Sequence, residues 1–93
     1  MEQTIIKAWK HGKKTCKDTV ILVQYGESYY ALGEEDAAKV RHCSQGVFIS
    51  IFSDEIDFVA FYYGDLDVVL PRLVRKGYRV AIIEAKSTKG GEK

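Results

Sequence analysis

Ninety-three residues make one small domain around one hydrophobic core, with no room for a second. At 46% hydrophobic and 29% charged residues the composition is that of an ordinary globular chain, which excludes an intrinsically disordered one. A formal net charge of +1 excludes a global attraction to nucleic acid or membrane, so any such binding has to come from a local patch. No apolar run is long enough to span a bilayer, and the polar start MEQTIIKAWKHGKK carries no signal-peptide pattern. A cytoplasmic protein without membrane partners is the expectation.

In chain order, residues 3–15 pattern as an amphipathic helix, with Ile5, Ile6 and Trp9 on one side and Lys7, Lys10 and Lys14 on another. Gly12 is expected to fray its end. Within the basic run Lys10 to Lys17, the side chains of Lys10, Lys13 and Lys14 are candidate phosphate contacts, against the plainer role of a solvated helix face.

The stretch from Thr19 to Leu32 organises the rest. Val20-Ile21-Leu22-Val23 is β-branched and continuous, as in a strand buried on both faces. Gly26-Glu27 breaks the run as a turn, and Ser28-Tyr29-Tyr30-Ala31-Leu32 resumes it with adjacent rings on opposite faces. After Gly33, residues 34–41 read as a helix with acids in the first turn and bases in the last, which suits its dipole. Residues 47–52 and 58–63 read as an antiparallel strand pair around the Ser53-Asp54-Glu55 tip, because the connection is too short for a parallel crossover.

A third helix runs from a cap at Asp65 or Asp67 to Lys76, with Leu66, Val69, Leu70, Leu73 and Val74 inward. Pro71 inside it removes one backbone bond, and kinks the helix if Asp65 is the cap. Gly77 closes the helix, residues 78–84 form the last strand, and residues 86–93 form a polar tail expected to be mobile. The result is an α/β (α+β) domain over residues 1–85, a mixed sheet of about five strands flanked by three helices. A complete small protein, which Met1 and the polar tail fit, and a fragment of a longer one are both open readings of these residues.

Cys16 and Cys43 form no Cys-x-x-Cys pair and read as free thiols in a reducing compartment. His11, Cys16, His42 and Cys43 do not make a zinc site: their spacings match no common ligand set, and adjacent His42 and Cys43 would leave a helix about 100° apart. Asp54, Glu55 and Asp57 are hard ligands of the kind that hold Mg²⁺ in nucleases. They sit in a turn with no Lys or His at a supporting spacing, so no catalysis, metal or cofactor is expected.

Gly26-Glu27-Ser28-Tyr29-Tyr30-Ala31-Leu32, the acidic-start helix from Glu34, Tyr62-Tyr63-Gly64-Asp65 and Leu73-Val74-Arg75-Lys76-Gly77-Tyr78-Arg79-Val80-Ala81-Ile82-Ile83-Glu84 come in one order. Together they resemble the N-terminal mismatch-recognition domain, domain I, of the MutS mismatch-repair family. That family reads Gly-Asp-Phe-Tyr-Glu-Leu-Phe, later a segment like Pro-Tyr-His-Ala, then Leu-Val-x-x-Gly and a strand like Val-Ala-Ile-Cys-Glu. The resemblance covers nearly the whole chain and is most specific at the C-terminal helix end, cap and strand.

It implies a domain without catalytic residues whose Phe enters the minor groove and stacks on a mispaired base while the Glu hydrogen-bonds it. Carried over by position, the Phe becomes Ser28, the Tyr stays Tyr29, and the Glu becomes Tyr30. Serine lacks the ring to stack, and Tyr30, on the same strand face, stands as a displaced wedge or as a plain covering residue. The family's basic loop after the third strand is here Ser53-Asp54-Glu55, which repels phosphate.

No Gly-x-x-x-x-Gly-Lys-Ser/Thr occurs, so this sequence carries no P-loop ATPase. The implied role is binding of mismatched or distorted DNA through Ser28 and Tyr30, with Lys10, Lys13, Lys14, Arg72, Arg75 and Lys76 as candidate phosphate contacts. Arg72, Arg75 and Lys76 share a helix face at i, i+3 and i+4. The alternative is a protein-interaction module, favoured by the surplus of tyrosines at Tyr29-Tyr30 and Tyr62-Tyr63.

Overall fold

Four side chains in succession, Val20 to Val23, are at most 1% exposed, because their strand lies inside the sheet with helices on both sides. The computed structural model describes residues 3–53 and 56–85. The elements are α1 (Gln3–Thr15), β1 (Thr19–Tyr25), β2 (Ser28–Leu32), α2 (Glu34–His42), β3 (Ile49–Ser53), β4 (Asp57–Tyr62), a 3-10 turn (Tyr63–Asp65), α3 (Leu66–Arg75) and β5 (Arg79–Glu84). The sheet order is β3-β4-β2-β1-β5, with only β1 and β5 parallel. The mixed five-stranded sheet and three helices agree with the fold class read from the sequence.

Strand alternation sorts the core into two layers. Val20, Leu22, Tyr29, Ala31, Val59 and Phe61 meet Ala37, Val40 and Cys43 of α2 and its C-terminus, and Val69 and Leu73 of α3. On the other face Ile21, Val23, Leu32 and Phe58 meet Ile5 and Ile6 of α1. Each fully buried aliphatic side chain contributes about 1.5–3 kcal/mol. Tyr29 and Phe61 stack at 5.6 Å between centroids on the α2/α3 side.

Asp36 ties α1, β1 and α2 together. It is 1% exposed and accepts hydrogen bonds from Trp9 Nε1 at 3.1 Å, the Ile21 amide at 3.2 Å and Lys13 Nζ at 3.2 Å. Lys13 also donates to the Thr19 carbonyl at 2.7 Å. A buried carboxylate needs such a set to offset its desolvation. Gly33, at φ +85° and ψ 155°, brings the chain into α2 through a region closed to other residues, and a Cβ there would lie 2.8 Å from the Trp9 ring.

Several expectations need correction. Gly12 does not fray α1: it is buried, and a Cβ at that position would come within 2.5 Å of Ile83 Cδ1 and 3.2 Å of Ile21, so the missing side chain lets the helix sit close on the sheet. β3 begins at Ile49 rather than Val47, because the Val47 amide is turned to the Ser44 carbonyl at 2.9 Å. β4 ends at Tyr62, and Tyr63 starts the 3-10 turn. Val74 is 58% exposed; the inward stripe of α3 is Val69 and Leu73, flanked by half-buried Leu66 and Leu70.

Asp65 is the N-cap residue of α3, without a side-chain capping bond, and helical residues run unbroken across Pro71 to Arg75. The carbonyl of Asp67 loses its intrahelical donor there, and both residues are exposed, which leaves it open to solvent. Cys16 and Cys43 are free thiols, and they lie on opposite faces of the sheet. Asp54, Glu55 and the tail 86–93 lie outside the described residues. Among the described residues no helix is long and apolar enough to cross a membrane, and no group of three or more His, Cys, Asp or Glu is placed to hold a metal.

Candidate nucleic-acid interface

Cross-strand register places Ser28 between two tyrosines. The two-residue Gly26-Glu27 turn sets Tyr25 opposite Ser28 on β1, and the β2–β4 pairing sets Tyr62 opposite Ser28 on the other side. Directly opposed residues bring their Cβ atoms to about 4.5–5.5 Å. Tyr30 stands two residues along on the same face, opposite Val23 and Ala60. Ser28 is therefore the small member of a tyrosine row, a recess bounded by Tyr25, Tyr30 and Tyr62. α1 packs over β1, β5 and β2 on this side, and the Tyr62 end of β4 is left exposed.

The Tyr30 and Tyr62 rings differ in freedom. Tyr30 is half-buried and leans on Phe58 at 6.0 Å between centroids, tilted by 42°. Burial, and then the neighbouring Tyr25, push its hydroxyl pKa above the ordinary phenol value. Tyr62 is 53% exposed and meets Tyr63 edge-on at 4.9 Å. The Tyr63 phenol beside it, first by charge and then by hydrogen bonding, raises the Tyr62 pKa. Both rings stay neutral donors at physiological pH, and Tyr62 presents the larger open aromatic face.

The candidate cations divide between the two sides of the sheet. Lys10 and Lys14 project from α1, on the side of the tyrosine row, and both are exposed. Lys13 lies on the same helix but its ammonium is held by Asp36 and Thr19. Arg72, Arg75 and Lys76 belong to α3, which packs on the opposite face. They line a groove of about 530 Å³ with His42, Cys43 and Gln45, where Arg72 Nη1 donates to the carbonyls of Cys43 and Gln45 past the end of α2. Ser28 and Tyr30 thus share one side of the sheet with Lys10 and Lys14, while Arg72, Arg75 and Lys76 lie on the other.

The sequence model of MutS domain I matches residues 3–93, essentially the whole chain. The chain belongs to the MutS domain I family. It is 31% identical over 84 residues to the DNA mismatch repair protein MutS of Methanococcoides burtonii, an alignment covering 85% of this chain and 9% of that protein. The chain thus spans less than a tenth of the length of the curated relative it matches.

Within this MutS domain I fold, residues that the sequence reading left out of the site are Tyr25, Tyr62 and Lys7. Tyr25 was accessible from the turn alone, since a two-residue hairpin loop forces its flanking residues opposite each other. Lys7 shares the exposed α1 face with Lys10 and Lys14. It lies nearer the tyrosine row, because α1 runs back from the Thr19 end of β1, where Lys13 is anchored, toward the Tyr25 end.

Proposed function

We propose that this domain is a non-enzymatic DNA-binding module that takes mismatched or distorted duplex on its tyrosine row. Tyr30 and Tyr62 would offer the stacking faces and Ser28 the recess between them. The observation that carries the reading is the position of Ser28, the counterpart of the family's wedge, between Tyr25 and Tyr62 in one cross-strand row. Membership of the MutS domain I family supports the ligand class. Aromatic rings stack on any base, and a step whose pairing is already poor costs least to open.

Lys7, Lys10 and Lys14 serve as phosphate contacts in this mode, whereas Lys13 is structural and Arg72, Arg75 and Lys76 face away. The role needs no cofactor and fits a cytoplasmic protein in DNA mismatch repair, contributing recognition and no nucleotide hydrolysis.

The test is anisotropy titration of a labelled duplex carrying one G·T mismatch or unpaired base, beside the matched duplex, at low and moderate salt. Tighter binding of the distorted duplex is expected, with Tyr30→Ala and Tyr62→Ala each costing about 1–3 kcal/mol, roughly 5- to 150-fold. Absence of salt-sensitive binding to either duplex overturns the reading. The outcome would then favour a protein-interaction module, to which the engagement of Lys13 by Asp36 and of Arg72 by backbone carbonyls already lends support.

A further inference from the structure

The two edges of the sheet are unlike. β5 begins with Arg79 and ends with Glu84, charges of the kind that discourage edge pairing. β3 has none: Phe48-Ile49-Ser50-Ile51-Phe52-Ser53 contains no charge and no proline. It is the outermost strand, and among the described residues its outer backbone groups pair with no other strand. Phe48 just before it is 89% exposed and Ile51 within it 56%. Such an edge is a template for a further strand.

The surface beside β3 shows what that strand brings with it. Ile51 opens into a groove of about 350 Å³ under α2, lined by Glu34, Ala37, Ala38 and Arg41 of α2 and by Asp57, a second acid at the Glu34 end, with Phe58 and Val59 of β4. α2 runs antiparallel to β3: the Gly33 amide bonds the Asp57 carbonyl at the Ser53 end, and the turn after α2 leads back to Ile49. The acid therefore stands at the far end of β3 and the base at its beginning. Among the described residues neither Glu34 nor Arg41 has an ion-pair partner.

A two-fold axis perpendicular to the sheet at β3 brings the acidic end of one copy to the basic end of the other. It pairs β3 antiparallel with its own copy, keeps the faces matched, and sets Glu34 of each copy against Arg41 of the other. The small Ala37 and Ala38 between them leave the space above the joined strands to Ile49 and Ile51 of both chains. With a net charge of only +1, two copies do not repel. We infer that the chain forms a homodimer by antiparallel β3–β3 pairing, a continuous ten-stranded sheet latched by reciprocal Glu34–Arg41 pairs. An isologous contact of this kind closes on itself and does not propagate.

Sedimentation equilibrium over a concentration series tests it, with far-UV circular dichroism as the folding control. Wild type is expected to dimerise, and Ile51→Lys, at an exposed site, to stay folded and monomeric. Arg41→Glu alone sets like charges together twice and weakens association at least about tenfold, and Glu34→Arg/Arg41→Glu restores it. A wild type monomeric at its highest soluble concentration overturns the inference, leaving the edge to a strand of another protein. A dimer indifferent to Ile51→Lys, or a double swap that fails to rescue, overturns it equally. None of these outcomes depends on DNA binding.

Discussion

Replacing Asp36 by alanine removes one acceptor for three donors from a site that is 1% exposed. The Trp9 indole, the Ile21 amide and the Lys13 ammonium lose partners at 3.1, 3.2 and 3.2 Å. A buried donor left without a partner costs about 1–3 kcal/mol, and breaking a buried ion pair by removing one member about 3–5 kcal/mol. Lys13 is 22% exposed, so water recovers part of its share, and the Thr19 carbonyl still holds it at 2.7 Å. The expected loss is therefore about 3–4 kcal/mol, from a total of about 5–14 kcal/mol for a domain of this size.

In urea, followed by far-UV circular dichroism, that lowers the midpoint by at least about 1 M. Asp36→Asn, which keeps size and one oxygen, is expected to lose roughly half as much. Lys13→Met added to Asp36→Ala should cost little further, because the ion pair is already gone. An Asp36→Ala variant within about 1 kcal/mol of wild type would refute the role of Asp36 in clamping α1 to the sheet.

Gly33→Ala meets both a closed backbone region and the Trp9 ring, so a loss of about 2–4 kcal/mol is expected, read as a fall in Tm of roughly 10–25 °C. The raised Tyr30 pKa makes folding favour the neutral phenol: this contribution is whole below about pH 10 and is lost as pH rises through the higher folded-state value. Wild type should therefore lose stability above about pH 10 more steeply than Tyr30→Phe, by urea midpoint against pH. Lys10→Ala and Lys14→Ala should each flatten the slope of log affinity against log salt by about 0.9, whereas Arg75→Ala leaves it unchanged.

How much of this was legible depended on the range of each interaction. The buried run Val20–Val23, the Gly26-Glu27 turn and the opposed rings of Tyr29 and Tyr30 are local patterns, and the structure repeats them. Val47 and Phe48 look like strand by type, but a turn bond to Ser44 takes them out of it. Gly12 reads as a helix breaker until Ile83, seventy-one residues away, is seen to occupy the space its side chain would fill. Lys13 reads as one lysine among several, and only the approach of Asp36 from α2 separates it from Lys10 and Lys14. Tyr62 joins Ser28 because β4 inserts between β3 and β2, an order that neighbouring hairpins do not dictate. The same insertion leaves β3 at the edge.

In the proposed binding mode DNA meets the tyrosine face. The most direct measurement is backbone amide NMR of the labelled domain titrated with a duplex carrying one unpaired base. Shifts concentrated at Tyr25, Ser28, Tyr30, Tyr62 and the exposed side of α1 are expected, with the Arg72–Lys76 groove silent. Shifts confined to Arg72, Arg75, Lys76 and the end of α2 would contradict it.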